Sequence, residues 1–145
     1  MNPLLQLKEL GQSVWLDDLG RHYLDDGSLA ALIHNDGVSG ITSNPAIFNR
    51  AISQSGIYDA AIRSYAEQGD SSDAIYERLV IEDIQRAADL LRDTWRATDS
   101  RDGYVSLEVS PHLADDSKAT IDDARRLWAA VDRPNLMIKV PGTAA

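Results

Sequence analysis

Four short apolar runs are spread along the chain, and each is bounded by residues that favour turns. Each run is predicted to form a β-strand, and the four strands are expected near residues 13–17, 38–43, 104–109 and 135–140. Longer stretches with apolar residues every three or four positions predict helices. These helices are expected over residues 1–12 and 28–35, from 44–45 onward, twice within 57–95 with a break near 69–71, and over 117–131. Strands that alternate with helices predict an α/β fold with a parallel sheet.

The helical spacing also predicts which side chains face the core. In the helix that ends near Trp95, the inward positions are expected to be Ile81, Ile84, Ala88, Leu91 and Trp95. In the helix over 117–131, they are expected to be Ile121, Ala124, Trp128 and Val131. In the leading helix, Leu4, Leu7 and Leu10 are expected to line one side.

Side chains alternate between the two faces of a strand, and each predicted strand has one apolar row and one polar row. At the carboxyl end of each strand, the polar row ends in groups that bind or transfer protons. These groups are Asp17 on the first strand, Thr42 and Asn44 on the second, Glu108 on the third and Lys139 on the fourth. In a (β/α)8 barrel the carboxyl ends of the strands converge at one mouth, where catalytic groups gather. The sequence therefore predicts a shared rim of candidate catalytic groups.

Lys139 is the candidate nucleophile. Its sequence neighbours Met137, Ile138 and Val140 are apolar, and burial among apolar groups would lower the pKa of the amine. A neutral lysine amine attacks carbonyl carbon and forms a Schiff base. Two other interpretations are open at this point: a lysine that protects an edge strand from aggregation or reaches out to water, and a purely structural ion pair with Glu108.

The other candidates also have structural alternatives. Asn44 before Pro45 has the pattern of an ordinary helix N-cap with proline at the first helical position. Asp17 beside Asp18 would also suit a solvated loop, and Thr42 would suit any strand.

Charge and composition exclude several classes of function. The net charge of −9 argues against nucleic acid and anionic membranes as partners. The chain has no cysteine, which excludes disulfides and thiolate catalysis, and no apolar run is long enough to span a membrane. The three histidines, His22, His34 and His112, are scattered and have no metal-ligand spacing. A soluble, cytoplasmic protein is expected.

Two motifs resemble the signatures of the transaldolases. Residues 40–48 (GITSNPAIF) are similar to the family's first signature, and residues 137–143 (MIKVPGT) to the start of the second, which holds the Schiff-base lysine. Residues 14–17 (VWLD) and 105–109 (VSLEV) resemble its first strand and its acid-bearing strand. The resemblance implies a (β/α)8 TIM barrel of the class I aldolase type, with no metal or other cofactor. It also implies transfer of a dihydroxyacetone unit between sugar phosphates in the pentose phosphate pathway.

The resemblance also implies a role for each candidate residue. Lys139 would form the Schiff base, Asp17 would be the general base at the C4 hydroxyl, and Glu108 would move protons through a water. Asn44 and Thr42 would bind the dihydroxyacetone hydroxyls or that water.

The length implies that only part of such a barrel is present. A (β/α)8 barrel takes about 250 residues, whereas residues 1–145 supply about its first four strands. We expect this chain to be the N-terminal half of a transaldolase domain, inactive in isolation and able to self-associate through its open sheet edges. Two alternatives are a related Schiff-base sugar-phosphate aldolase and a non-catalytic half-barrel that associates to close its sheet.

Overall fold

The computed structural model describes residues 2–144; Met1 and Ala145, the ends of the predicted domain 1–145, lie outside the described residues. Four parallel strands form one sheet in the order β1-β2-β3-β4. The strands are β1 (Val14–Leu16), β2 (Val38–Thr42), β3 (Tyr104–Glu108) and β4 (Leu136–Lys139). Each strand is slightly shorter than its predicted range. The predicted class is confirmed: this is an α/β fold whose parallel sheet is consistent with part of a (β/α)8 barrel.

Eight helices lie before and between the strands in the described part of the chain. They are α1 (Pro3–Glu9), α2 (Arg21–Asp25), α3 (Ser28–Asp36), α4 (Pro45–Ser53), α5 (Asp59–Glu67), α6 (Ser72–Leu90), α7 (Arg92–Ala97) and α8 (Ser117–Val131). Short 3₁₀ helices cover Gly56–Tyr58 and Pro111–Leu113. The short helix α2 was not predicted, and the second helix of 57–95 is divided at Leu91 into α6 and α7.

The hydrophobic core lies between one face of the sheet and the helices that follow the strands. Ile41, Val105 and Leu136 are partners across β2, β3 and β4, and all three are buried. Helix α6 packs on β3 and helix α8 packs on β4. This packing fixes which way each strand faces, because a shift of one residue would move the whole apolar row to the opposite face.

The predicted inward face of α8 is wrong in part. Ile121 and Trp128 are about half exposed, whereas Thr120, Leu127 and Val131 are buried. The buried stripe is rotated by about one residue from the predicted one. Thr120 can occupy it because its hydroxyl donates a hydrogen bond to the Leu113 carbonyl oxygen at 2.8 Å.

The leading helix also differs from the prediction. Helix α1 buries none of its residues, and Leu7 and Leu10 are exposed. Leu10 lies beyond the last helical residue, Glu9. By contrast, Ile84, Ala88 and Leu91 are buried, as predicted. Among the described residues, no helix is both long enough and apolar enough to cross a membrane.

Candidate active site

The central feature of the candidate site is a pair of charged side chains at the carboxyl ends of β3 and β4. Glu108 and Lys139 are direct partners in the parallel register. The Lys139 Nζ atom lies 3.0 Å from Glu108 Oε2, and the two side chains are 39% and 25% exposed. Both lie on the face of the sheet opposite the core, because Leu107 and Ile138, their neighbours in sequence, pack into the core.

A second acceptor contacts the same amine. Lys139 Nζ donates a hydrogen bond to the main-chain carbonyl oxygen of Ser43 at 2.8 Å. Ser43 is fully buried, and its hydroxyl donates to the carbonyl oxygen of Ser106 on β3 at 2.8 Å. The amine is therefore held between a carboxylate and a main-chain carbonyl. Ser43 was not among the sequence-predicted site residues.

The predicted apolar enclosure of the Lys139 amine is wrong. Met137 and Val140 are 43% and 51% exposed, and Ile138 points to the opposite face, into the core. The atoms that contact the amine are oxygen acceptors. Within the described residues, the polar contacts of this amine are the Ser43 carbonyl oxygen and the Glu108 carboxylate.

Thr42 lies next to this pair on the second strand. Its Oγ1 atom accepts a hydrogen bond from the Ser106 hydroxyl at 3.0 Å. Thr42 and Ser106 are register partners, so this bond crosses from β3 to β2 on the face that carries Glu108. Ser106 therefore contacts both Thr42, through its side chain, and Ser43, through its carbonyl.

Asn44 serves as a helix cap. Its backbone is extended, as expected for a residue before proline, and its Oδ1 atom accepts a hydrogen bond from the Ile47 amide at 2.9 Å. Asn44 is thus the N-cap of α4, which is the structural alternative to a role in substrate binding. Its Nδ2 group makes no hydrogen bond within residues 2–144, so a donor is left for another partner.

The two acids after β1 have different environments. Asp17 is exposed, and no side-chain hydrogen bond to it occurs in the described part of the chain. Asp18 accepts hydrogen bonds from Arg50 on α4 and from the Tyr23 hydroxyl, each at 3.1 Å. Asp18 thereby ties the segment after β1 to α4, while Asp17 is left without a fixed partner. The structure brings Glu108 and Lys139 into contact, but not Asp17 with either.

A buried polar cluster fixes the start of α2, four residues after Asp17. The Asp83 side chain on α6 is fully buried and accepts from Arg21 Nε at 2.9 Å and from the Tyr58 hydroxyl at 2.8 Å. The Tyr58 oxygen in turn accepts from the Arg21 amide at 2.7 Å. Burial, and then the charge of Asp83, raise the pKa of Tyr58 well above its ordinary value.

A groove of about 630 Å³ opens beside Glu108 and Asn44, between α4, α6 and α8. Its walls combine apolar side chains, such as Phe48 and Leu127, with charged ones, such as Glu77 and Arg126, and Lys139 does not line it. The Lys139 side chain therefore lies on the face of the sheet opposite the core and outside this groove. Within residues 2–144, no group of three or more acidic, histidine or cysteine side chains is arranged to hold a metal ion.

Comparison with known proteins assigns the chain to a family. Residues 14–145 match the family model described as transaldolase/fructose-6-phosphate aldolase. The chain is 53% identical to the transaldolase of Thiobacillus denitrificans over 99% of its length, and 48% identical to transaldolase 2 of a Nostoc species over all of it. It covers 40% and 38% of those two proteins, and so spans about two fifths of the curated relatives that it matches. The chain belongs to the transaldolase/fructose-6-phosphate aldolase family.

Proposed function

We propose that the protein to which this chain belongs is a transaldolase that uses Lys139 as its Schiff-base residue. It would transfer a dihydroxyacetone unit from a ketose phosphate, sedoheptulose 7-phosphate or fructose 6-phosphate, to an aldose phosphate in the pentose phosphate pathway. The observation that carries the proposal is the contact of the Lys139 amine with the Glu108 carboxylate at 3.0 Å. The two residues lie in two segments that resemble transaldolase motifs, in a chain of that family. No metal or other cofactor is needed for this chemistry, because the imine itself accepts the electrons.

The first half of the reaction would join the enzyme to the ketose. After the Lys139 ammonium loses a proton to water, the neutral amine adds to the C2 carbonyl carbon, and the carbonyl oxygen gains a proton to give a carbinolamine. Loss of the C2 hydroxyl as water then gives the protonated imine. Glu108 would accept a proton from the attacking nitrogen and, through a water, return one to the departing hydroxyl. Its position 3.0 Å from Nζ supports this role.

The second half would break and remake a carbon–carbon bond. Asp17 takes the proton of the C4 hydroxyl, the C3–C4 bond breaks, and its electron pair moves into the imine to form an enamine. An aldose phosphate leaves, and the enamine carbon attacks the carbonyl of a second aldose. Asp17 returns its proton to the new hydroxyl, and hydrolysis of the imine releases the product. An Asp17 side chain with no fixed partner among the described residues is suited to this exchange.

Asn44 and Thr42 would bind the dihydroxyacetone part of the substrate or the water next to it. The Asn44 Nδ2 group is a donor without a partner in residues 2–144, while its Oδ1 is occupied by the helix cap. The Thr42 hydroxyl oxygen accepts from Ser106, so its own proton is directed to another acceptor. We expect the substrate phosphate to be bound by later strands of the barrel, as is common in this fold.

The decisive experiment is to trap the imine in the full-length protein. The protein is incubated with fructose 6-phosphate, reduced with borohydride and mapped by mass spectrometry. Residues 1–145 contain three lysines, Lys8, Lys118 and Lys139, and peptide mapping distinguishes them from one another and from lysines elsewhere in the protein. A three-carbon adduct is expected on Lys139. It should be absent in Lys139→Ala and retained in Lys118→Ala, which alters an exposed lysine on α8.

The Asp17→Ala variant separates the two halves of the reaction. It should still form an imine with the intact ketose but lose carbon–carbon cleavage, so the trapped adduct should retain all six carbons. Trapping that is equal in wild type and Lys139→Ala would refute the assignment of the Schiff-base residue.

A second candidate function is a sugar-phosphate aldolase that releases free dihydroxyacetone. The matched family includes fructose-6-phosphate aldolase in its description, which is the reason to consider it. The two functions differ in their need for an acceptor. A transaldolase forms product only when an aldose phosphate is added, whereas an aldolase releases dihydroxyacetone without one.

Self-association of the isolated chain is a third possibility that the exposed apolar residues support. Exposed apolar side chains lie on α8, at Ile121 and Trp128, and on or directly after the outer strand β4, at Met137 and Val140. Gel filtration of residues 1–145, combined with a circular dichroism melt, tests it. A folded dimer is expected if a half-barrel module exists by itself, and a folded monomer would rule it out.

A further inference from the structure

We propose that the main-chain carbonyl of Ser43 orients the Lys139 amine, and that the buried Ser43 hydroxyl positions this carbonyl by its bond to Ser106. The inference rests on the proposed Schiff-base role of Lys139. Ser43 would be a positioning residue, because it acts on the reaction through the direction of the Lys139 nitrogen. The two bonds that carry the proposal are both 2.8 Å long, from Lys139 Nζ to Ser43 O and from Ser43 Oγ to Ser106 O.

The Ser43 carbonyl is available because the strand pairing stops just before it. The last paired residues of β2 and β3 are Thr42 and Ser106. Pro45 then forces Asn44 to stay extended, so helix α4 begins only at Pro45. Ser43 thus lies between the sheet and the helix, and its carbonyl oxygen accepts a side-chain donor from β4.

The Ser43 side chain holds this short segment in place. Ser43 is fully buried, and a buried hydroxyl is costly to leave without a partner. Its donor is satisfied by the Ser106 carbonyl on the neighbouring strand, 63 residues away in the sequence. The Ser106 hydroxyl binds Thr42 on the same segment. The segment that presents the carbonyl is therefore fastened to β3 at two successive residues.

Two acceptors around one nitrogen have a defined chemical consequence. A neutral lysine amine has two N–H bonds and one lone pair in a tetrahedral arrangement. Ser43 O at 2.8 Å and Glu108 Oε2 at 3.0 Å can accept one N–H each. The lone pair is then left in the remaining direction, away from both acceptors, for attack on the substrate carbonyl. Such alignment reduces the part of the activation barrier that comes from orienting the reacting atoms.

The test compares two buried serines of the same strand region. Ser43→Ala removes the anchor beside Lys139. Ser39→Ala is the matched control, because Ser39 is also buried and its hydroxyl also reaches a neighbouring strand, at the Val14 carbonyl, but it lies at the opposite end of β2. In the full-length protein, the rate of imine formation is measured by rapid quenching into borohydride over a range of fructose 6-phosphate concentrations.

The maximal rate of imine formation should fall by about 10- to 100-fold in Ser43→Ala, the size expected for a small misplacement of a reacting group. The half-saturating concentration should stay unchanged, because the carbonyl contacts the amine and not the sugar. Ser39→Ala should form the imine at the wild-type rate. Should Ser43→Ala not fold, as judged by circular dichroism, Ser43→Cys replaces it, since a thiol is a weaker donor of similar size.

The outcomes separate this inference from the proposed function. A trapped adduct on Lys139 in wild type, formed at the same rate in the Ser43 variant, overturns the positioning role and leaves the Schiff-base assignment intact. A wild-type protein that traps no adduct overturns both. Equal slowing in Ser43→Ala and Ser39→Ala would show a general loss of packing and would also overturn the positioning role.

Discussion

The two faces of the sheet differ in what covers them and in what they carry. On the helix-covered face, Ile41, Val105 and Leu136 form a continuous buried row across three strands. The adjacent row on the other face is Thr42, Ser106 and Met137, followed by the pair of Glu108 and Lys139. The covered face supplies the packing that determines the strand register. The register in turn brings two charged groups together on the face without helices, where both side chains stay partly exposed.

Asp83 differs from the other buried residues on the helix side, because it is a carboxylate. It is stabilised there by Arg21 and Tyr58. Asp83→Ala should reduce the free energy of unfolding by about 3–5 kcal/mol, because it leaves two buried donors, Arg21 Nε and the Tyr58 hydroxyl, without their acceptor, while Glu82 still pairs with the other side of the guanidinium. Urea denaturation measures the change. Asp89→Ala, on the same helix and paired with Arg133 at the surface, is the control and should cost about 1 kcal/mol or less.

Equal effects of the two aspartate variants would show that Asp83 is solvated in solution. In that case Asp83 would be as accessible to solvent as the residues on the open face of the sheet.

Leu107 and Met137 test the comparison with apolar residues on opposite faces. Leu107→Ala should destabilise the protein by about 2–5 kcal/mol, since it opens a cavity in the core. Met137→Ala should change stability by about 0.5 kcal/mol or less, because the side chain is already exposed. Thermal and urea melts of both variants provide the measurement. A large loss in Met137→Ala would mean that the open face is covered in the protein in solution, by a partner or by the protein's own later segments.

Gly40 tests whether the open face has packing of its own. A Cβ atom added there would lie 2.2 Å from the Trp15 ring, which covers the glycine from the neighbouring strand. Gly40→Ala should therefore displace Trp15 and cost about 1–3 kcal/mol. Tryptophan fluorescence reports the displacement, and denaturation reports the cost. Gly142→Ala, where an added Cβ meets nothing within 4 Å, should have no effect. An unchanged spectrum in Gly40→Ala would contradict the packing of Trp15 on β2.

The strand alternation was the most informative part of the sequence. It predicted that Glu108 and Lys139 share a face, because the side-chain period of a strand is two residues. The same rule explains the error about the Lys139 environment. Ile138 is adjacent in sequence but points into the core, so apolar neighbours along a strand do not surround the amine. Helical periodicity predicts the buried face less definitely. On α8, two neighbouring rows of residues both have the spacing of an inward face, and the row that includes Thr120 is the buried one.

The contact between Lys139 and Ser43 and the Asp83 cluster are harder to predict from the sequence. The contact of Lys139 with the Ser43 carbonyl involves a main-chain atom, and every residue has a carbonyl, so residue identity gives no signal for it. The Asp83 cluster does have a signal in the sequence. Asp83 lies four residues after Leu79 and four before Ala87, inside the buried stripe of α6, and a charge at such a position indicates a buried partner. Its partners Arg21 and Tyr58 come from segments that local patterns do not connect to α6.

The smallest predicted effect is a pH dependence at Tyr58, on the helix side. Burial and the charge of Asp83 raise the pKa of Tyr58 in the folded protein above the ordinary value of about 10. The folded state therefore holds the phenol proton more tightly than the unfolded state does. This contribution to stability is complete below about pH 10 and declines as the pH rises above it, by at most about 1.4 kcal/mol per pH unit. The difference in unfolding free energy between wild type and Tyr58→Phe should therefore shrink with increasing pH in this range. A difference that stays constant over this pH range would mean that water reaches the Tyr58 phenol. The helix-covered side would then be open to solvent at this position.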